Sequence, residues 1–194
     1  NIIYPFGPPI FQTQIDKKFT QELIDEGRKL NIKENDHNFN LAGNLKTGRS
    51  YIYKNDYVKK VEPYLKHQVE RFFQGLSEQY GKDYRGWKRL LQIEIGNCET
   101  KPGKLILDSL WINFMKQYDH NPPHSHTGVL SFVIFCKVPK KIFKVQADSN
   151  TKHAGNIIFK YGDRISKLMG SDYVIEPYEN LMLLFPNELI HYVP

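Results

Sequence analysis

The spacing of apolar residues predicts two amphipathic helices in the first half of the chain. From Ile15 to Leu30 the apolar and small residues follow the three- to four-residue period of one helix face, at Phe19, Leu23, Ile24 and Gly27. Asp16 can cap the first turn of this helix. From Asp56 to Tyr80 the same period is carried by Val58, Val61, Leu65, Val69, Phe72, Phe73 and Leu76, and Gly81 is a natural end. Both faces are expected to pack against a core.

The second half of the chain changes to the short apolar runs that are typical of β-strands. Its strand-like segments are rich in β-branched and aromatic residues and are separated by Gly, Pro, Asn and Asp. They are Arg89–Asn97, Leu105–Tyr118, Gly128–Pro139, Gly155–Asp163 and Tyr178–Val193. Strands that follow one another without intervening helices favour an antiparallel sandwich or barrel. We therefore predict an α+β protein with a mainly β core and N-terminal helices packed outside it.

The remaining segments are predicted to be extended or looped. Phe6–Ile10 contains two prolines and cannot form the interior of a helix. Asn31–Ser50 is rich in Asn, Gly and Lys, which indicates a long loop. Together with Lys140–Ala154 it forms the kind of long polar segment that often frames a binding site.

Length and composition predict one globular domain in a reducing compartment. The 194 residues suffice to bury a core, and we expect a single domain over 1–194, with a helical extension at 1–104 and the β core at 105–194. No signal peptide is visible, and no apolar run approaches the roughly 20 residues of a membrane helix. Cys98 and Cys136 form neither a CxxC pair nor a disulfide framework, which favours the cytoplasm, or the host cytoplasm for a phage protein.

The net charge of +6 leaves a polyanionic partner open. The basic residues are nevertheless dispersed along the chain. Their densest cluster, Lys137–Lys144, is more typical of a loop than of a stripe that follows phosphates. Nucleic-acid binding is therefore not favoured.

The stretch HNPPHSHTG, from His120 to Gly128, contains three of the seven histidines. His120 and His124 have the spacing of two ligands on one helix face, but the two prolines between them exclude a helix. In an extended chain His124 and His126 point to the same side, with Cα atoms about 7 Å apart. Both imidazoles can then reach one metal ion. The prolines interrupt the register of His120, which is not expected to be a ligand.

A third ligand is expected from the far end of the chain. His191 follows the apolar run and short turn of LMLLFPNELI, where a side chain can lie beside a pocket without being deep in the core. The other histidines, His37, His67 and His153, lie in loop-like or amphipathic surroundings and are expected at the surface. His-x-His entering a strand, followed much later by Phe-Pro-x-x-x-x-His, is more specific than either motif alone. The sequence therefore predicts a three-histidine metal site.

These motifs resemble the 2-oxoglutarate- and Fe(II)-dependent oxygenases, especially the prolyl-hydroxylase-like branch found in bacteria and phages. The resemblance covers about residues 105–193 and rests on Trp111 and Asn113; Asn121, Pro123, His124 and His126; Lys137–Pro139; Gly155–Ile157; and Phe185, Pro186 and His191. It implies a double-stranded β-helix, a small jelly-roll barrel with Fe(II) at one mouth. It also implies that 2-oxoglutarate and O2 are cosubstrates, and that decarboxylation to succinate is coupled to oxidation of a substrate, as in a hydroxylase.

The third metal ligand departs from the usual pattern of the resemblance. Non-haem Fe(II) oxygenases typically use two histidines and one carboxylate, whereas the position two after His124 is His126. The His-x-His form is common in this branch, so the resemblance implies His124, His126 and His191 as ligands. Asp119, five residues before His124, is the alternative carboxylate. Because imidazoles bind metal only when neutral, activity is expected to fall as pH drops through their titration.

The cation that pairs with the far carboxylate of 2-oxoglutarate is a second departure. Family members place an Arg or Lys beyond the distal histidine, whereas this sequence ends at Pro194. That cation is expected either beyond Pro194 or at Lys137. Asn113 is a candidate hydrogen-bonding partner of the cosubstrate, and both residues could instead have purely structural or solvated roles.

Two rival functions remain open at this stage. A cupin-type metalloenzyme with three histidines would share the barrel, but cupins usually place a Glu four or five residues after His-x-His, where this chain has Leu130 and Ser131. The other rival is a jelly roll that binds or assembles without catalysis. The sequence does not identify the substrate or the oligomeric state.

Overall fold

The architecture combines antiparallel sheets with N-terminal helices in a computed structural model that describes residues 2–3, 7–43, 45, 48–80, 105–117, 119–142, 144, 153–162 and 170–194. The strands are β1 (Ile2–Ile3), β2 (Ile10–Gln14), β3 (Arg49–Ile52), β4 (Trp111–Phe114), β5 (Asn121–His124), β6 (Leu130–Phe135), β7 (Ile157–Lys160), β8 (Asp172–Ile175), β9 (Leu181–Pro186) and β10 (Ile190–Val193). The helices are α1 (Lys17–Lys29), α2 (Ile32–Asn35) and α3 (Asn55–Tyr80), with a 3-10 turn at Asn38–Asn40.

The two long helices form where the apolar period predicts them. The Asp16 carboxylate accepts a hydrogen bond of 2.7 Å from the Lys18 N–H and so caps α1, as predicted. Gly27 lets α1 approach β4 closely, because a Cβ there would lie 2.8 Å from the side chain of Ile112. The predicted stop at Gly81, the predicted strand at 89–97 and Cys98 lie outside the described residues.

The strands form two four-stranded antiparallel sheets and a separate two-stranded antiparallel sheet. One sheet has the order β1-β2-β9-β6, the other β5-β10-β7-β8, and β3 pairs with β4. The prediction of a mainly β, antiparallel core is confirmed. The N-terminal part contributes more than helices, since β1 and β2 join the sheet that contains β6 and β9.

The central strand β9 is buried on both faces, and its alternating side chains connect two apolar layers. Leu181, Leu183 and Phe185 face the second sheet, where they pack in one cluster with Ile157 and Phe159. The intervening side chains of β9 face the helices, Met182 beside α1 and α3 and Leu184 beside α3. This sandwich fixes β9, and through a three-residue turn it also fixes β10.

No helix in the described part of the chain is long and apolar enough to cross a membrane. Besides β1 and β2, pattern reasoning missed the strands β3 and β8. β8 carries the mixed sequence DYVI, and β3 lies at the end of the predicted loop 31–50. That segment also contains α2 and the 3-10 turn, so it is more ordered than its composition indicates.

Candidate metal site

The register of two neighbouring strands brings the first two histidines together. His124 ends β5, His191 lies in β10, and the two are directly opposite each other in the antiparallel ladder. Opposite residues in such a ladder project to the same face. His191 is also opposite Phe159 of β7, whose side chain lies between the sheets. Both imidazoles therefore point into the sandwich at one of its ends.

The two prolines of the histidine motif produce an irregularity that sets this register. Asn121 is opposite Val193 and His124 is opposite His191, so β5 has one residue more than β10 over this interval. Such a bulge re-aims the side chains that follow it. β5 is the edge strand of its sheet, where proline's missing N–H removes no ladder bond. The prediction that the prolines exclude a helix is confirmed.

His126 joins the pair from the loop that follows β5. The ring centroids lie 4.3 Å apart for His124 and His191, 4.8 Å for His124 and His126, and 5.1 Å for His126 and His191. The candidate ligand atoms of all three lie within 4.8 Å of one another. Among the described residues, no carboxylate or thiol joins this group. The three histidines that the sequence singled out therefore lie together, although His126 lies beyond the strand.

Hydrogen bonds orient two of the three rings. The Nδ1 atom of His124 lies 2.7 Å from the Pro122 carbonyl oxygen, and that of His191 lies 2.9 Å from the Leu189 carbonyl oxygen. A carbonyl only accepts, so each Nδ1 carries the proton and donates it. The lone pair of each ring is then at Nε2, which is the arrangement that second-shell carbonyls impose on metal-binding histidines.

Burial favours the neutral form of two of the three imidazoles, because it lowers the pKa of His191 and of His126. His191 is only 6% exposed and packs against Phe185, with ring centroids 4.8 Å apart. Burial lowers its pKa to about 4, against an opposing effect of the Leu189 carbonyl. Burial, and then the neighbouring His124, lower the pKa of His126. The expectation that His191 avoids the deep core is wrong, because β10 carries it between the sheets. Neutral imidazoles are the form that binds metal.

Aromatic contacts extend from the cluster through His126. The indole of Trp111 lies 5.7 Å from the His126 ring, and the His37 imidazole stacks on the same indole at 5.1 Å with a 30° interplanar angle. His37 is half-buried, and burial lowers its pKa. It therefore differs from the surface role expected for it, whereas His67 and His153 are exposed as predicted.

The sequence of this region also matches a known family. Residues 109–194 match the family model described as "Putative 2OG-Fe(II) oxygenase". The match contains all three clustered histidines and confirms the resemblance to the 2-oxoglutarate- and Fe(II)-dependent oxygenases. No curated protein and no solved structure matches the chain. The prolyl-hydroxylase-like branch stays a prediction.

The alternative ligand Asp119 also lies in the matched region, but it does not belong to the histidine group. Its side chain is 9% exposed, and its Oδ2 accepts a hydrogen bond of 2.8 Å from the Lys116 N–H. This bond closes the turn between β4 and β5. The carboxylate therefore has a local structural role, and His126 occupies the third position of the cluster.

The two candidate cosubstrate residues differ in their placement. Asn113 lies two residues after Trp111, on the same face of β4, and its Oδ1 accepts a hydrogen bond of 2.7 Å from the Ser50 hydroxyl. Lys137 is exposed and follows the far end of β6. β6 starts beside Pro186, at the histidine end, and extends about 17 Å away from it. This geometry argues against Lys137 as a partner of a cosubstrate at the metal.

Asn187 is the residue that sequence reasoning missed. It follows β9 in the turn that leads to His191, and it is 7% exposed. Its backbone and side chain both bond to the loop that carries His126. The signal was its position inside Phe-Pro-x-x-x-x-His, where Asn187 is the first of the unspecified residues.

Proposed function

We propose that the protein is a non-haem Fe(II)- and 2-oxoglutarate-dependent dioxygenase, and within that class a hydroxylase. The observation that carries the proposal is the group formed by His124, His126 and His191 inside the region that matches an oxygenase family. A site predicted from spacing alone and a family match that uses the whole region thus point to the same chemistry.

The donor set fits Fe(II). Imidazole is a common ligand of iron, and three ligands on one side of an ion leave positions for cosubstrate and O2. Two of the rings present Nε2 because their Nδ1 atoms are bonded to backbone carbonyls. When bound, Fe(II) with 2-oxoglutarate supplies the oxidative decarboxylation to succinate and CO2 that drives substrate oxidation.

The surrounding residues hold the ligands and restrict water. Phe159 and Phe185 close the buried side of His191, with ring centroids 6.0 and 4.8 Å away. Trp111 closes one side of His126. Asn113 shares a strand face with Trp111, the residue whose indole contacts His126. Asn113 stays our candidate for a hydrogen bond to the cosubstrate.

The finer structural assignment is part of the same proposal. We assign the two four-stranded antiparallel sheets to a double-stranded β-helix, with the histidines at one mouth. The shared apolar layers of helices and strands support one domain over 1–194. Assignment to the prolyl-hydroxylase-like branch and to the cytoplasm rests on the motifs and on the isolated cysteines, and both stay predictions.

The proposal is tested by binding of 2-oxoglutarate. Calorimetric titration with Mn(II) in place of Fe(II) avoids oxidation, and we expect 2-oxoglutarate to bind the Mn(II)-loaded full-length protein but not the metal-free protein. The variant His124→Ala should lose both metal and 2-oxoglutarate binding, whereas His153→Ala, at an exposed position, should retain both. Metal binding without any response to 2-oxoglutarate would contradict the proposal and favour a cupin-type or non-catalytic metal protein.

A further inference from the structure

We propose that Asn187 is a positioning residue for the third metal ligand, which it holds in place through the backbone of His126. This inference rests on the proposed metal site. Asn187 does not itself belong to the group of ligand side chains. Its contribution is to fix a loop that has no strand pairing of its own.

The need for such a residue follows from how the three ligands are supported. His124 and His191 lie in paired strands, so ladder hydrogen bonds fix their backbones. Their rings are oriented by the carbonyls of Pro122 and Leu189. His126 follows the end of β5 and belongs to no strand. No hydrogen bond to its ring is found within the described residues, so its position depends on its backbone and on packing.

Asn187 supports the His126 backbone through two hydrogen bonds, one donated by each residue. The His126 N–H donates to the Asn187 carbonyl at 3.0 Å, and the Asn187 Nδ2 donates to the His126 carbonyl at 2.8 Å. The Asn187 N–H also donates to the Val129 carbonyl at 3.2 Å. Three hydrogen bonds thus join the turn after β9 to both ends of the loop 126–129. Since Asn187 is 7% exposed, water competes poorly for the buried amide.

The side-chain donor is the specific element of this pair. Any residue except proline would offer a backbone N–H and C=O at 187, but among side chains of this size only asparagine combines an N–H donor with a neutral charge. Without that donor the His126 carbonyl loses its partner, and the loop is held at one side only. Trp111 packs against the His126 ring, so a shifted backbone would also disturb that contact.

The expected loss of metal affinity follows from comparable metal sites. Loss of a residue that orients a metal ligand typically lowers metal affinity 10- to 100-fold. Asn187 is suited to substitution, because it does not have the positive φ that Asn180 has. Alanine can therefore adopt its backbone conformation without strain. Asn187→Asp is a second variant, which keeps the size of the side chain but removes its donor.

The matched control is Asn156→Ala. Asn156 is also a buried asparagine, 5% exposed, and it precedes β7 at the opposite end of that strand from the histidines. Its loss should lower stability without moving His126. A general effect of losing a buried amide would appear in both variants, whereas a positioning effect would appear only at Asn187.

The experiment has one readout without metal and one with it. Hydrogen exchange of the metal-free protein should show faster exchange in 125–129 for Asn187→Ala and Asn187→Asp, but not for Asn156→Ala. Titration with Co(II), followed by its visible absorption, should show 10- to 100-fold weaker binding and an altered spectrum for the two Asn187 variants only.

Each outcome decides the inference. Unchanged exchange in 125–129 would overturn the positioning role, whatever the metal does. Faster exchange with wild-type Co(II) affinity and spectrum would overturn the link to the metal. A wild-type protein that binds no Co(II) would overturn the proposed metal site and this inference with it, and that result is distinguished by failure of the parent protein rather than of the variants.

Discussion

Two of the three histidines allow metal binding and folding stability to be separated by substitution. His191→Ala and His126→Ala should both abolish the stabilisation that metal provides, but only the first should strongly destabilise the metal-free protein. The reason is their different burial. His191 is 6% exposed between the sheets, whereas His126 is half-buried in a loop.

These surroundings determine how much folding stability each substitution removes. Removing the His191 ring leaves a cavity beside Phe159 and Phe185 and an unpaired Leu189 carbonyl. Large-to-small changes in a core cost about 2–5 kcal/mol, and the small, polar imidazole belongs at the lower end, about 2–3 kcal/mol. At about 2–4 °C per kcal/mol for a chain of this size, the melting temperature falls by about 4–12 °C. His126→Ala should cost about 1 kcal/mol or less.

Bound metal adds a separate stabilisation of the folded protein. A ligand present at 100 times its Kd stabilises the protein by about 2.7 kcal/mol, which raises the melting temperature by about 5–11 °C. Thermal melts with and without Mn(II) measure both effects, and His153→Ala is the control. Either of two results would refute the reasoning: His126→Ala keeps the full rise with Mn(II), or metal-free His191→Ala melts like the parent protein.

Two further predictions concern residues outside the metal site. Burial raises the pKa of Cys136 to about 11, so at pH 8 it carries about 100-fold less reactive thiolate than a thiol of ordinary pKa 9. Alkylation of a Cys98→Ser variant with iodoacetamide should therefore be slow until the protein unfolds, and rapid alkylation of the folded protein would contradict this. Gly48→Ala would place a Cβ against the Asp119 carboxylate and should lower the free energy of unfolding by about 1–3 kcal/mol in urea titrations. Gly170→Ala should change it little, because a Cβ there would lie 4.0 Å from its nearest neighbour, the Asp172 carbonyl oxygen, and equal effects would argue against a steric cause.

Periodicity predicted the elements whose apolar faces are long. α1 and α3 follow directly from the spacing of their buried residues, because a helix face repeats over many turns. β8 was missed since its four residues are mixed in polarity and only Ile175 is fully buried. β3 was missed because the polar segment before it dominates the local composition.

The members of the histidine group were predictable from the sequence, but their geometry was not. Spacing identified His124, His126 and His191, since each lies in a motif with a physical reason for its spacing. The burial of His191 could not be predicted, because it depends on pairing with β5 and β7 rather than on its neighbours in sequence. Lys137 was a candidate because it follows the strand after His-x-His in sequence, but β6 extends away from the histidines and carries Lys137 to its far end. Asn187 acts partly through its backbone, which no residue pattern records.

We propose that this histidine group supports 2-oxoglutarate turnover. Turnover is measured as the succinate formed when the protein is incubated with Fe(II), ascorbate, O2 and 2-oxoglutarate, beside His124→Ala and the control His153→Ala. We expect succinate from the parent protein and from His153→Ala, even without substrate, and none above background from His124→Ala. Succinate at the same level in the parent protein and in His124→Ala, or in neither, would contradict it.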